Sequence, residues 1–182
     1  MKKMQLIRCL ADLDKRGVYV FAKRDIEKMF PDENEKALEK SLQRMVADEL
    51  LIRAAKGVYV NPAATSKTSR VIEEIAKVLR PRCFSYVSLE SMLSEYGVIS
   101  QVPVSRITIM TTGAKGTYDT PYGTIEFTHT KRRPPAIIER TQYVKERPLR
   151  FATKTAAVND LRRVGRNTNM IIDDELNSGD DE

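Results

Sequence analysis

Apolar side chains recur at helical spacing three times within the first sixty residues, and the first two runs each end at a residue that helices exclude. Leu6, Ile7, Leu10 and Leu13 form one stripe, ended by Gly17; Ile26, Met29 and Phe30 form a second, ended by Pro31. The third stripe is Leu38, Leu42, Met45 and Val46. Asp32 can cap that helix, with Glu35 three positions on at capping-box spacing. A short β-prone run, Val18 to Phe21, separates the first two stripes. Two more, Leu51–Ala55 and Gly57–Val60, follow the third and meet at Lys56-Gly57, where glycine supplies the positive φ of a tight hairpin turn. Helix, short strand, helix, turn, helix, hairpin is the order of a winged helix-turn-helix. The sequence therefore predicts one over residues 1–62.

Winding the third helix at 100° per residue gathers Leu38, Leu42, Met45 and Val46 in one sector. Lys36, Lys40, Gln43 and Arg44 then fall on the opposite side. Lysine and arginine meet phosphates, and arginine or glutamine also reaches base edges in the major groove. Arg53 and Lys56 lie in or beside the hairpin, where backbone or minor-groove contact is expected. Glu35 and Glu39 stand at the edge of the same helical face and would repel phosphate. Winged helices also serve as protein-docking modules, so the order of elements alone does not choose DNA.

Residues 61–68 (NPAATSKT) are small and polar, and residues 63–68 are assigned as a linker to a second domain over 69–172. That domain opens with a stripe at Val71, Ile72, Ile75, Val78 and Leu79, followed by a shorter helix from Ser88 with Leu89, Met92, Leu93 and Tyr96 inward. The period then changes to two. Arg106–Thr112 and Tyr122–Thr130 alternate as strands, with turn residues and a middle strand near 117–120 between them. A small antiparallel meander is expected, with Ile125, Phe127 and His129 on its inward face. Ala152–Arg163 reads as a closing helix. The fold class is thus α+β: a winged helix followed by a compact α+β domain with a small antiparallel sheet.

Charge is distributed unevenly. The chain carries 31 lysines and arginines against 25 acids, but six of those acids lie in the last ten residues, DDELNSGDDE. Residues 1–172 therefore hold 31 bases against 19 acids, a net +12, and 173–182 form an acidic tail expected to be disordered. A basic body points to a polyanionic partner. Lys131, Arg132 and Arg133 are read as an exposed basic knot open to a partner, or simply solvated.

Enzymatic chemistry finds little support. There is one histidine, and the two cysteines, Cys9 and Cys83, lie far apart with no CxxC, so neither disulfide nor zinc site is expected. No nucleophile-elbow, zincin, phosphate-loop or dinucleotide pattern occurs. Glu90, Asp119, Glu126 and Asp160 are the carboxylates a nuclease would need, and they read as scattered surface acids. No catalytic residue, cofactor or metal is assigned. With no apolar run of membrane length and no signal-peptide core, the chain is expected in the cytoplasm, away from membranes.

Several segments together resemble one family. CFSYVSLESMLSEYGVISQVPVSRITIMTTG (residues 83–113), YDTPYGTIEFTHTKR (118–132) and ATKTAAVNDLRR (152–163, with Ala152, Ala157, Asp160 and Leu161) are similar to the AbiEi family of antitoxins. That resemblance implies a type IV toxin–antitoxin role in phage defence. In such a system the winged helix binds inverted repeats in promoter DNA and represses its own operon, while the second domain neutralises a nucleotidyltransferase-like toxin. The competing reading is a winged-helix transcriptional regulator whose second domain senses a ligand or dimerises.

Overall fold

The computed structural model describes residues 2–99 and 105–171 and divides into two compact units, Met1–Leu79 and Arg80–Glu182. The fold is mixed α and β. The acidic tail at 173–182 lies outside the described residues.

The first unit runs α1 (Lys3–Asp14), β1 (Val20–Ala22), α2 (Lys23–Met29), α3 (Glu35–Ala47), β2 (Ile52–Ala55), β3 (Val58–Val60) and α4 (Val71–Leu79). Its sheet is antiparallel in the order β1-β3-β2. Leu6 and Leu10 of α1, Ile26 of α2, and Leu38, Leu42 and Met45 of α3 meet in one core. Ile7, grouped with the inward stripe by spacing, is 36% exposed. The cap of α3 is Asn34 and not Asp32: the Asn34 carboxamide oxygen accepts the Ala37 N–H at 2.8 Å. Asp32 sits two residues too early, in the turn after Pro31. At the far end of α3, Glu49 takes φ +57°. The Leu50 N–H bonds back to the Met45 carbonyl at 2.9 Å, and the Glu49 N–H bonds to that of Val46. This is a left-handed helix stop occupied by a glutamate where glycine is favoured.

The division between units falls one helix later than the linker assigned at 63–68. That stretch is fastened to the first unit: Asp14 accepts hydrogen bonds from Thr65 N–H and O–H, both at 2.8 Å, and from Ser66 N–H at 2.9 Å. These bonds, that from Ser66 first, hold the Asp14 carboxyl well below the usual carboxylate range. Helix α4 then packs on β1 and β3. A small polar composition marks a loop but does not say which side the loop is tied to.

The second unit runs β4 (Ser85–Val87), α5 (Leu89–Glu95), β5 (Arg106–Thr111), β6 (Gly116–Thr120), β7 (Gly123–His129), α6 (Pro134–Glu139), β8 (Thr141–Gln142), β9 (Arg150–Ala152) and α7 (Lys154–Val164). The strands form one six-stranded sheet in the order β6-β7-β5-β4-β9-β8. The expected antiparallel meander is not what forms. β5 and β7 are neighbours but parallel, with Ile107 opposite Ile125 and Ile109 opposite Phe127, and β4 and β9 are parallel too. Parallel neighbours need a crossover, and here β6 serves as part of it. Residues 112–115 pass over the end of β7 to reach the edge of the sheet, where β6 pairs back onto β7. At that end His129 is exposed, not inward, and its Nδ1 lies 2.8 Å from the Gly113 carbonyl oxygen. α5 packs against α7 and β5, over a core that includes Tyr86, Leu93, Ile109 and Leu161.

Candidate nucleic-acid interface

The four residues assigned to the outer face of α3 are all exposed: Lys36, Lys40, Gln43 and Arg44. Their backbone is fixed from beneath, because Leu38, Leu42 and Met45 are each at most 4% exposed. Lys40, Gln43 and Arg44 line one open groove with Ala37, Ser41 and Glu33. Within it an Arg44 guanidinium N–H donates to Ser41 Oγ at 3.1 Å, which orients the guanidinium along the helix. Lys36 is one turn earlier and lines neither this groove nor the next.

The second groove lies between α3 and the hairpin. Gln43 and Glu39 form one wall, and Arg53, Lys56, Gly57 and Tyr59 the other, with Lys23 between them. Gln43 therefore belongs to both grooves. The hairpin is held in place at its tip, where the Lys23 N–H donates to the Gly57 carbonyl at 2.8 Å. Gly57 has φ +73°, the left-handed conformation that the tight turn requires. Arg53 and Lys56 are exposed.

The acids at the edge of α3 are held by a residue that the sequence reading passed over. Lys23 Nζ lies 2.7 Å from Glu39 Oε1, 3.1 Å from Glu35 Oε1 and 3.8 Å from Glu27 Oε1. Hydrogen bonding to Glu39 and Glu35 raises the Lys23 pKa, and the same contact lowers that of Glu39. Both shifts favour the charged form, so Lys23 and Glu39 hold their charges at neutral pH. Lys36, Lys40, Arg53 and Lys56 take part in no ion pair among the described residues. The surface of α3 and the hairpin thus presents unpartnered cations, with its two edge carboxylates already engaged.

The second unit departs from the sequence reading at its charged residues. Lys131 and Arg133 are exposed, but Arg132 is not part of an exposed knot. Its side chain is only 15% exposed, and its Nη1 lies 3.0 Å from Oδ1 of Asp160, which is fully buried. Arg140 reaches the same oxygen at 3.4 Å. The other oxygen, Oδ2, accepts from the Tyr86 and Ser88 hydroxyls, both at 2.9 Å. Burial, and next the Asp160 charge, push the Tyr86 phenol above its usual range. Ser88 does stand at the N-cap of α5, but its hydroxyl is given to Asp160 and makes no cap bond.

Nor are Glu90 and Glu126 surface acids; they are buried or nearly so. Arg166 bridges them: it contacts Glu126, and its Nε lies 3.1 Å from Glu90 Oε1. Asn167 donates to Glu90 at 2.8 Å, and Arg106 pairs with Glu126 at 3.1 Å. These side chains line a cavity of about 100 Å³ with Ser91, Thr108 and Met170. Asp119 alone of the four carboxylates is exposed. Among the described residues no group of histidines, cysteines and acids is placed to hold a metal ion, and no helix is long and apolar enough to cross a membrane.

Residues 7–172, which include both grooves and both carboxylate clusters, match the model of a family of unknown function, DUF6088. The chain belongs to that family. No curated protein matches it significantly. Among solved structures, the crystal structure of the RV2827C protein from Mycobacterium tuberculosis has a similar fold. The TM-score is 0.57 over 87% of this chain, at 13% sequence identity. This chain spans 60% of the length of that one.

Within this DUF6088 chain, the outer-face cations of α3 were accessible from helical periodicity. Lys23, Tyr59, Arg140 and Arg166 were not. Lys23 opens a different helix from Glu35 and Glu39, and Arg166 lies 76 positions from Glu90. The one usable signal for Lys23 was the pair of acids on α3, which would repel phosphate unless a cation engaged them.

Proposed function

We propose that this chain is a DNA-binding repressor and the antitoxin of a toxin–antitoxin pair. In this reading the first unit is a winged helix: α2 and α3 form the helix pair, α3 enters the major groove of promoter DNA, and the β2–β3 hairpin is the wing. The observation that carries it is the position of Gln43. It is shared by two open grooves, with Lys40 and Arg44 along one and Arg53 and Lys56 along the other. A glutamine flanked on both sides by exposed cations is suited to base contact while the cations hold the phosphates.

The antitoxin half rests on the resemblance of residues 83–113, 118–132 and 152–163 to AbiEi antitoxins. It brings with it a promoter with inverted repeats, a nucleotidyltransferase-like toxin as the functional partner, a cytoplasmic site of action and no catalytic role for the chain itself. The competing reading, a regulator whose second unit senses a small molecule, gains nothing from the cavity at Glu90 and Glu126. At about 100 Å³ it falls below the roughly 300–1,000 Å³ usual for ligand pockets.

Two measurements test the two halves. Binding of the full chain to a duplex carrying the DNA upstream of its own gene should weaken, with a flatter salt dependence, when Lys40 and Arg44 are replaced by alanine. Unchanged affinity and slope remove α3 from the interface. Co-expression with an adjacent gene for a nucleotidyltransferase-like protein should restore growth. Persistent growth arrest refutes the antitoxin assignment.

A further inference from the structure

Glu35 and Glu39 are the feature of α3 that argues most directly against its lying on DNA. They stand on the edge of the face that carries Lys40, Gln43 and Arg44, with side chains 77% and 53% exposed. Glu39 forms part of the wall of the groove between α3 and the hairpin. A free carboxylate there would face the phosphates of any duplex that brought Gln43 to its bases. Like charges brought together at an interface cost affinity and slow encounter.

Lys23 answers both acids at once. Its ammonium lies within 3.1 Å of Glu35 and Glu39. Its own backbone N–H is bonded to Gly57 O at the hairpin tip. One residue therefore joins the first turn of α2, the acidic edge of α3 and the tip of the hairpin, and it does so from the middle of the groove. Its side chain is 23% exposed, far less than the acids it holds, so its backbone and stem are fixed while the acids come to it.

We infer that Lys23 is a positioning residue for nucleic-acid binding: it holds Glu35 and Glu39 away from the phosphates, so that the face of α3 and the hairpin is open to DNA. This deepens the DNA-binding reading above and rests on it. Lys23 acts through its two acids and is not assigned a phosphate of its own. Its contribution to binding is then the removal of repulsion, which distinguishes it from Lys40, Arg44, Arg53 and Lys56.

The test is a set of full-length variants, measured by fluorescence anisotropy on the duplex from upstream of the gene and on a duplex of unrelated sequence. Lys23→Ala is expected to lose about tenfold in affinity on both duplexes, because two uncompensated carboxylates now face the backbone. Lys23→Arg should bind as the wild type does. The decisive variant is Lys23→Ala with Glu35→Gln and Glu39→Gln, which should regain nearly all of the lost affinity although it still lacks the lysine. If that triple variant stays as weak as Lys23→Ala, Lys23 touches DNA itself and the positioning role is wrong; a wild-type affinity for Lys23→Ala also overturns it. Wild-type protein that binds neither duplex overturns the DNA reading as a whole, and is distinguishable because no variant is needed to see it. Should Lys23→Ala fail to fold, Lys23→Gln, which keeps most of the stem and removes the charge, takes its place in both variants with the same expected loss and the same recovery. No loss for Lys23→Gln, or no recovery when Glu35→Gln and Glu39→Gln are added to it, overturns the inference.

Discussion

The two units of this chain use cations in opposite ways. On α3 and the hairpin, Lys36, Lys40, Arg53 and Lys56 point outward and engage no acid among the described residues, over a layer of leucine and methionine. Between Arg80 and Ile171 there are fifteen bases and seven acids, and four of those acids (Glu90, Glu95, Glu126 and Asp160) hold arginines. Residues 80–171 are thus more basic than the first unit, yet they commit Arg132, Arg140, Arg147 and Arg166 to acids of their own. Net charge locates a polyanion partner poorly; the burial of each cation's counter-ion locates it better. An exposed lysine costs little to keep free, whereas a buried carboxylate must be paired and hydrogen-bonded or it destabilises the fold.

This contrast can be broken most forcefully at Asp160. Asp160→Asn leaves Arg132 and Arg140 facing each other without a carboxylate. It should cost about 3–5 kcal/mol of unfolding free energy in the second unit, read by urea denaturation, with promoter binding by the first unit retained. A normal unfolding midpoint would show that the cluster is not structural. Next is a division within the basic knot. Arg132→Glu should destabilise by about 2–3 kcal/mol, because it places a second carboxylate against Asp160 and removes a partner. Lys131→Glu with Arg133→Glu should stay within about 0.5 kcal/mol of wild type. Equal effects from the two would restore the three residues to a single exposed cluster.

On the other side of the comparison, Lys40→Ala with Arg44→Ala should leave stability within about 0.5 kcal/mol. It should lower the log–log salt slope of DNA binding by about 1.8 if each side chain neutralises one phosphate. The smallest effect expected is Glu49→Gly, a gain of about 0.5–1 kcal/mol from a residue suited to the left-handed stop of α3. Its thermal midpoint should rise while DNA binding is unchanged.

How much of this was legible in the sequence follows from the range of each interaction. The face of α3 is a local property, since Leu38, Leu42 and Met45 repeat within one helix, and so its outer residues were correctly placed. Gly57 announced its turn for the same reason. Strand direction is not local. Arg106–Thr111 and Gly123–His129 alternate in the same way whether they pair parallel or antiparallel, and only the path of residues 112–115 decides. The allegiance of α4 depended on Asp14 capturing Thr65 and Ser66, 51 and 52 positions away. Asp160 and Arg132 lie 28 positions apart, and each reads as a surface charge on its own. Burial of a charge is a property of its partner, and periodicity does not report partners.

The most direct measurement is hydrogen exchange on the full-length protein with and without the duplex from upstream of its gene. Bound DNA should slow exchange in Glu35–Ala47 and Ile52–Val60 and leave β4 to β9 of the second unit unchanged. Protection confined to the second unit, with α3 and the hairpin exchanging as they do in the free protein, would contradict the placement of the nucleic-acid interface on the first.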